Sequence, residues 1–343
     1  MKALMLTGAR SLEHVDVDEP DVGDDTVLIR VAACGICGSD VHGYDLSTGR
    51  RQPPIVMGHE AAGVVERVGA AVTRFAPGDR VTFDSTVFCG GCRYCDAGKV
   101  NLCDNRQVVG VSCGDYRRHG AFADYVAVPE LICHALPDGF PIEHAALIES
   151  VSIALHAVAR TPLVDGGLAV VVGAGMIGTL AVQALAAAGV ERIVAVDVVG
   201  AKLELAARLG ATGVIDASVV DPVEEVLALT GGTGASHAFE VVGATAPVRT
   251  AVERVEKGGT VTLVGNVSPT VEAPLQSIVT RELTLYGSCG SQGDYPRAIE
   301  LMAEGAIDVA PLISACVPLS EGAAWFERLH RGEPGLMKVI LRP

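Results

Sequence analysis

Residues 166–190 carry no charged side chain, and the order of residue types within them constrains the fold more than any other feature of the chain. A continuous apolar run, 168–172, leads directly into Gly173-Ala174-Gly175-Met176-Ile177-Gly178, and an alanine-rich helical pattern continues over 176–188. The stretch is long enough to cross a bilayer. Its six glycines and its strand–turn–helix order point instead to a buried strand, a glycine turn and a buried helix. In a G-x-G-x-x-G loop the first glycine permits the tight turn, the second lets the backbone approach a pyrophosphate, and the third lets helix and strand pack closely. The helix N-terminus then offers free N–H groups to phosphate oxygens. Asp197 follows nineteen positions after Gly178, at the end of the next apolar run. A carboxylate there suits the ribose 2′-hydroxyl of NAD and repels the 2′-phosphate of NADP. Val198, Val199 and Gly200 provide no arginine clamp for that phosphate, although Lys202 is near. The expected cofactor is NAD, held by Gly173, Gly175, Met176, Ile177, Gly178, Asp197 and Lys202. The bland alternative makes the glycines packing turns and Asp197 a solvated strand end; the strand–loop–helix–strand–acid order weighs against it.

Around this unit the chain has two textures. Before residue 150, short β-branched runs (26–32, 62–68, 80–83, 122–128) are separated by turn signals such as Pro77-Gly78-Asp79, the pattern of a small sandwich or barrel. After 150, helical patterns (152–158, 176–188, 200–209, 246–256) alternate with apolar runs (168–172, 192–197, 238–242, 260–264), the pattern of a parallel sheet covered on both faces. A helix over 295–304 and a strand over 337–341 close the chain. The predicted class is α/β, a β-rich domain plus a doubly wound parallel sheet, and 343 residues suit about two domains. With 26 basic and 41 acidic residues the net charge is −15, which argues against nucleic acid or an anionic membrane as partner. A hydrophobic share of 49% excludes a disordered chain. The first residues lack a secretory signal, so the expected setting is the cytoplasm, where thiols stay reduced.

Reduced thiols matter because the chain has 10 cysteines. Cys89, Cys92, Cys95 and Cys103 are spaced C-x2-C-x2-C-x7-C with glycines between them, which suits a closed, structural tetrahedral zinc. A disulfide framework is disfavoured in a cytosolic chain, and iron–sulfur clusters use other spacings. Cys34, Cys113, Cys133, Cys289 and Cys316 are expected to be small buried hydrophobes, and Trp325 and Phe326 core residues of a helix. Cys37, in Cys34-Gly35-Ile36-Cys37-Gly38-Ser39-Asp40, together with His59 and Glu60, offers thiolate, imidazole and carboxylate. Three protein ligands with a fourth position open is the catalytic arrangement of zinc. Taken alone, this segment reads better as a core histidine at His59 and an ordinary surface carboxylate at Glu60.

Gly58-His59-Glu60-Ala61-Ala62-Gly63, followed by Gly69 and Val72, resembles the G-H-E-x2-G-x5-G-x2-V signature of zinc-containing medium-chain alcohol and polyol dehydrogenases. The cysteine quartet and the glycine loop stand in that family's order, so the resemblance covers the whole chain. It implies a GroES-like catalytic domain over 1–150, a Rossmann-type NAD domain over 151–286, and a segment over 287–343 returning to the first. It implies two zinc ions per chain and the interconversion of a secondary alcohol and its ketone by hydride transfer. By position, Cys37 and His59 are ligands of the catalytic zinc. Glu149 stands where simple alcohol dehydrogenases have a second cysteine, which resembles the sorbitol, polyol and threonine dehydrogenase branch. Glu60 also approaches the metal in that branch, and the choice between the two carboxylates stays open. Zinc, one thiolate and one carboxylate sum to zero charge, which argues against both carboxylates binding tightly at once. Ser39 matches the group that takes the substrate proton, His42 the group that relays it outward, and Val264 and Gly265 a segment near the nicotinamide.

Two departures stand out: Ser150 replaces the proline common after Glu149, and residues 287–291 lack the arginine often found in sorbitol-type enzymes. The implied partner is a small-molecule alcohol, and the implied assembly a homo-oligomer, a tetramer rather than a dimer. A threonine-type amino-alcohol 3-dehydrogenase shares every motif. A non-catalytic zinc- and NAD-binding regulatory protein is the alternative from another class, and the presence of Cys37, Ser39, His42, His59 and Glu149 together weighs against it.

Overall fold

The computed structural model describes all residues, Met1–Pro343, in two compact units. The first comprises Met1–Glu149, Tyr295–Ala303 and Val309–Pro343, the second Ser150–Asp294 and Glu304–Asp308.

The first unit is organised on the strand Thr26–Gly35, whose β-branched and apolar residues pair along one edge with Glu60–Val68. Thr26 to Arg30 also pair with Tyr125–Pro129, and Cys34 and Gly35 with Lys338–Arg342. Arg80–Phe83, Cys133–Ala135 and Ile313–Pro318 complete a seven-stranded sheet. A second sheet joins Ser11–Asp16, Lys2–Gly8 and Ile55–Val56. Its N-terminal strands are not predicted from the sequence, where polar and apolar residues alternate only weakly. The core includes Leu4, Leu6, Ile29, Val31 and Phe122, with Phe122 edge-on to Phe326 at 5.7 Å between ring centroids. Phe326 is the core residue expected; Trp325 is half-buried beside it.

Two glycines of the G-H-E signature serve this sheet rather than a ligand. A Cβ on Gly63 would run into the carbonyl oxygen of Arg30, and one on Gly69 into those of Gly23 and Asp24. Gly58 differs: its φ of +93° lies in the left-handed region, and a Cβ would meet Phe122 at 2.7 Å and Cys34 Sγ at 2.9 Å.

The second unit is a six-stranded parallel sheet in the order Gly213–Asp216, Arg192–Asp197, Leu168–Val172, Ala235–Glu240, Val255–Leu263, Thr284–Gly287. Helices Met176–Ala187, Gly200–Arg208, Pro222–Leu229 and Thr245–Arg254 connect the strands. The charge-free stretch is therefore strand, turn and helix, and no helix is long and apolar enough to cross a membrane. The strand expected over 238–242 ends at Glu240, because a turn begins there. Gly213–Asp216 and Thr284–Gly287 are too short and too exposed on the sheet edges to register as apolar runs. Thr284–Gly287 pairs with Thr260 to Leu263, so the second unit runs past the expected limit at 286, and the chain rejoins the first unit at Tyr295.

A methyl group at Gly69 meets main-chain atoms that cannot rotate away. Gly69→Ala should destabilise the first unit by about 1–3 kcal/mol, whereas Gly91→Ala, whose added Cβ meets nothing, should leave the thermal midpoint unchanged.

Candidate active site

Cys37, His59 and Glu60 each present a ligand atom within 4.8 Å of the other two. Three local devices bring them there. Cys37 caps the short helix Gly38–Gly43, with the Ser39 N–H donating to its Sγ at 3.4 Å and its own N–H donating to Asp40 Oδ2 at 3.4 Å. The left-handed Gly58 turns the chain so that His59 points inward before the strand Glu60–Val68 begins. The pairing of Gly35 with Glu60 sets Glu60 beside the end of the strand that leads to Cys37; a Cβ on Gly35 would collide with the Glu60 carboxylate.

Each buried ligand is held by a group distant in sequence. Asp40, fully buried, lies with Oδ1 at 3.5 Å from His59 Nδ1 and at 2.8 Å from Arg51 Nη2. Burial opposes charge on Asp40, but His59 and Arg51 outweigh it and hold its carboxyl well below the usual carboxylate range. Burial likewise disfavours a charged His59, yet the Asp40 and Cys37 charges raise its pKa well above that of free imidazole. Glu60 Oε2 accepts from Lys338 Nζ at 2.5 Å, and Lys338 also donates to the Ile36 carbonyl at 3.2 Å. Burial works against the Lys338 ammonium, but Glu60 and Cys37 raise its pKa nonetheless.

Asp40, Arg51 and Lys338 are not assigned by sequence reasoning. Asp40 stands inside the quoted cysteine motif, where an acid near an expected histidine ligand is a usable signal. Nothing local marks Arg51 or Lys338.

Glu149, in the first turn of the helix Ile148–Arg160, lies outside the close trio. Burial is the largest influence on it and pushes its pKa up to about 7; the Glu60 and Asp84 charges add to this, while His59 and Lys338 oppose it. Ser39 and His42 are exposed and three apart on the helix Gly38–Gly43, hence on one face.

The four sulfurs of Cys89, Cys92, Cys95 and Cys103 also lie within 4.8 Å of one another. Cys89 and Cys103 are 3.5 Å apart and Cys92 and Cys95 3.6 Å, far beyond a disulfide bond of about 2.05 Å. A tetrahedron with zinc–sulfur bonds of about 2.3 Å has edges of about 3.8 Å, so the quartet fits a four-thiolate metal. Of the remaining cysteines, Cys34 and Cys133 are buried as expected. Cys113 is half-buried, and Cys289 and Cys316 are exposed, which corrects the reading of all five as core residues. Cys289 lies in a loop, and Cys316 on Ile313–Pro318, a strand at the edge of its sheet.

In the second unit the three loop glycines answer three different demands. Gly173 has φ +102°, and a Cβ would meet Val242 Cγ2 at 2.6 Å. A Cβ on Gly178 would run into the Gly173 carbonyl. A Cβ on Gly175 would meet nothing, so here the missing side chain leaves open space before the start of the helix Met176–Ala187. Asp197 Oδ2 accepts from the Ala174 N–H at 2.7 Å, and Oδ1 accepts from the Val198 and Val199 N–H groups at 2.8 and 3.0 Å. The same carboxylate thus shapes the glycine loop and stands at the end of its strand. Lys202 is half-buried in the first turn of Gly200–Arg208. Val264 and Gly265 follow the strand Val255–Leu263, and both donate their N–H groups to the Glu240 carbonyl.

Residues 23–138 match the family model for the alcohol dehydrogenase GroES-like domain, and residues 177–304 that for zinc-binding dehydrogenases. The chain belongs to the zinc-containing medium-chain alcohol and polyol dehydrogenases and is an oxidoreductase of that class. It is 35% identical over 350 residues to a sorbitol dehydrogenase of Bacillus subtilis, covering 100% of this chain and 97% of the relative. It is 32% identical over 347 residues to D-xylulose reductase A of Aspergillus oryzae, covering 98% and 96%. Among solved structures, a zinc-binding dehydrogenase from Sinorhizobium meliloti bound to NADP superposes with a TM-score of 0.91 at 33% identity, covering 100% and 99%.

Asp40→Asn keeps the shape of the Arg51–Asp40–His59 chain but removes the charge that orients His59. Metal affinity at the Cys37 site should fall about 10–100-fold, measured by chelator competition, with the cysteine quartet unaffected.

Proposed function

We propose that this chain is a two-zinc, NAD-dependent dehydrogenase that interconverts a polyol-like secondary alcohol and its ketone. The observation that carries the reading is the convergence of Cys37, His59 and Glu60, with the buried Asp40 carboxylate 3.5 Å from His59 Nδ1. Zinc held there supplies Lewis acidity that makes a hydroxyl a stronger acid, and NAD supplies the carbon that accepts hydride. Cys37 and His59 are two ligands, and Glu60 or Glu149 the third. Asp40 and Arg51 fix the imidazole, and Lys338 holds Glu60 in its present position. Ser39 takes the proton from the substrate hydroxyl, and His42, one turn along the exposed face of the same helix, passes it to solvent. Cys89, Cys92, Cys95 and Cys103 hold the structural zinc.

The second unit binds the dinucleotide through Gly173, Gly175, Met176, Ile177 and Gly178, with Val264 and Gly265 near the nicotinamide. The relative from Sinorhizobium meliloti was solved with NADP. Here the Asp197 carboxylate, with no arginine in the residues directly after it, supports NAD, and Lys202 follows five positions later in the first turn of Gly200–Arg208. The names of the relatives, a sorbitol dehydrogenase and a xylulose reductase, support a hydroxyl-rich substrate. We extend the proposal to a homo-oligomer, a tetramer rather than a dimer, in the cytoplasm; the free state of all ten cysteines supports the latter.

Three measurements test this. Cys37→Ala should lower bound zinc from about two to about one per chain and abolish oxidation of every member of a panel of polyols, amino alcohols and simple secondary alcohols; two retained zincs with full activity reject the metal site. Asp197→Asn should narrow the preference for NAD over NADP in steady-state kinetics, and an unchanged ratio assigns that preference elsewhere. Zinc must displace the proton from any carboxyl it binds. With the Glu149 pKa at about 7, zinc affinity of the metal-free protein should rise as pH increases through 7. Glu149→Gln should make that rise shallower if Glu149 is the third ligand, and an identical slope leaves Glu60 in the role.

A further inference from the structure

Glu240 is fully buried in the second unit and has no task in the reading above. It ends the strand Ala235–Glu240, paired with Val172 on one side and Leu263 on the other. Its Oε1 accepts the N–H groups of Val242 and Gly243, both at 2.8 Å. Its main-chain carbonyl accepts those of Val264 at 2.8 Å and Gly265 at 3.0 Å. Four N–H groups from two loops therefore converge on one residue, while its Oε2 has no hydrogen-bond partner.

The two loops are locked together. Gly243 has φ +82°, and a Cβ there would run into Gly265 and Asn266; a Cβ on Gly265 would run into Gly243 in turn. The turn also presses on the glycine loop. A Cβ placed on Gly173 would meet Val242 and Val241 methyls at 2.6 and 3.1 Å, and one placed on Gly178 would meet a Val241 methyl at 3.1 Å.

The position in the sheet gives this cluster its meaning. From Leu168–Val172 the chain winds outward through Arg192–Asp197 to Gly213–Asp216. From Ala235–Glu240 it winds the other way, through Val255–Leu263 to Thr284–Gly287. At such a reversal the connections diverge and leave a crevice beyond the carboxyl ends of the two central strands, where ligands of open α/β sheets bind. The glycine loop is one lip of that crevice and the turn at 241–243 is the other. Asp197 stands on the glycine-loop side, at the end of the neighbouring strand.

We propose that Glu240 is a positioning residue for the nucleoside of the dinucleotide that lies across the crevice from Asp197: its carboxyl fixes the turn at 241–243, its carbonyl fixes Val264 and Gly265, and the two loops together form the wall that holds that nucleoside. The proposal rests on the dinucleotide reading of the glycine loop. It separates the two halves of the ligand, because ADP reaches the glycine loop and Asp197 but not this wall. A glutamine at this position keeps a side-chain carbonyl that accepts from both N–H groups.

The test is calorimetric binding of NADH and of ADP to the full zinc-loaded chain in the wild type, Glu240→Gln and Glu240→Ala. Glu240→Gln should bind both ligands within about threefold of the wild type. Glu240→Ala leaves two N–H groups without their acceptor and should weaken NADH about tenfold or more while ADP stays within about twofold. Unchanged NADH binding in Glu240→Ala, an equal loss of both ligands, or a loss in Glu240→Gln as large as in Glu240→Ala each overturns the proposal. Should Glu240→Ala fail to fold, Gly243→Ala displaces the same turn from its other side with Glu240 intact; the same selective loss of NADH supports the proposal and undiminished NADH affinity overturns it. A wild-type chain that binds neither NADH nor NADPH rejects the dinucleotide reading itself, a result distinct from any of these.

Discussion

The charges buried around Cys37 and His59 are tolerated because Asp40 is matched by Arg51 and Glu60 by Lys338, and this matching is the constraint on which the candidate metal centre depends. Removing an ion from water costs several kcal/mol in a protein interior, and an unpaired one is strongly destabilising. Asp40, Arg51, Glu60 and Lys338 are all nearly inaccessible, yet they form two closed sets, Arg51–Asp40–His59 and Lys338–Glu60. The first set is gathered from a short stretch of chain, whereas the second needs the two ends of the unit brought together. Lys338 reaches Glu60 across 278 residues, through a strand that pairs with Cys34 and Gly35. A one-residue slip in that pairing would turn Lys338 to the opposite face and leave Glu60 unpaired. The donor atoms therefore gather where the sheet register is most strongly specified.

The second unit follows steric logic instead. Its decisive positions are glycines and small apolar residues that let backbones approach: Gly178 against Gly173, Gly243 against Gly265. Of the three glycines in the glycine loop, only Gly175 faces open space. Charge enters sparingly. Asp197 accepts from three main-chain N–H groups and Glu240 from two, both on Oε1, so both carboxyls act as clips on loops. Rigid loops at the carboxyl ends of parallel strands are what a dinucleotide site requires.

What the sequence reveals is what is local within it. The glycine loop, the cysteine quartet and the alternation of strand and helix after residue 150 each occupy consecutive residues, and each is found where its spacing places it. The partners that complete the site come from elsewhere: Arg51 from a loop, Lys338 from the last strand, Glu240 from a strand end. Their neighbours are set by register and topology, which one sequence does not display. The cysteines show the same limit, since small apolar character alone does not distinguish Cys133 in the core from Cys316 on an outer strand. The glycines of the G-H-E signature mark a metal site by resemblance, while two of them, Gly63 and Gly69, serve strand packing.

The four-cysteine loop has a consequence of another kind. All its donors come from residues 89 to 103, and Cys89 pairs in space with Cys103 as Cys92 does with Cys95, at separations under 4 Å. A zinc-stripped chain would thus meet an oxidant with two thiol couples already side by side, needing only a short contraction to join. A zinc ion bound in this loop would also keep its sulfurs apart, so metal starvation and oxidative stress would converge on the same fifteen residues while the charged network around His59 stayed sheltered in the interior.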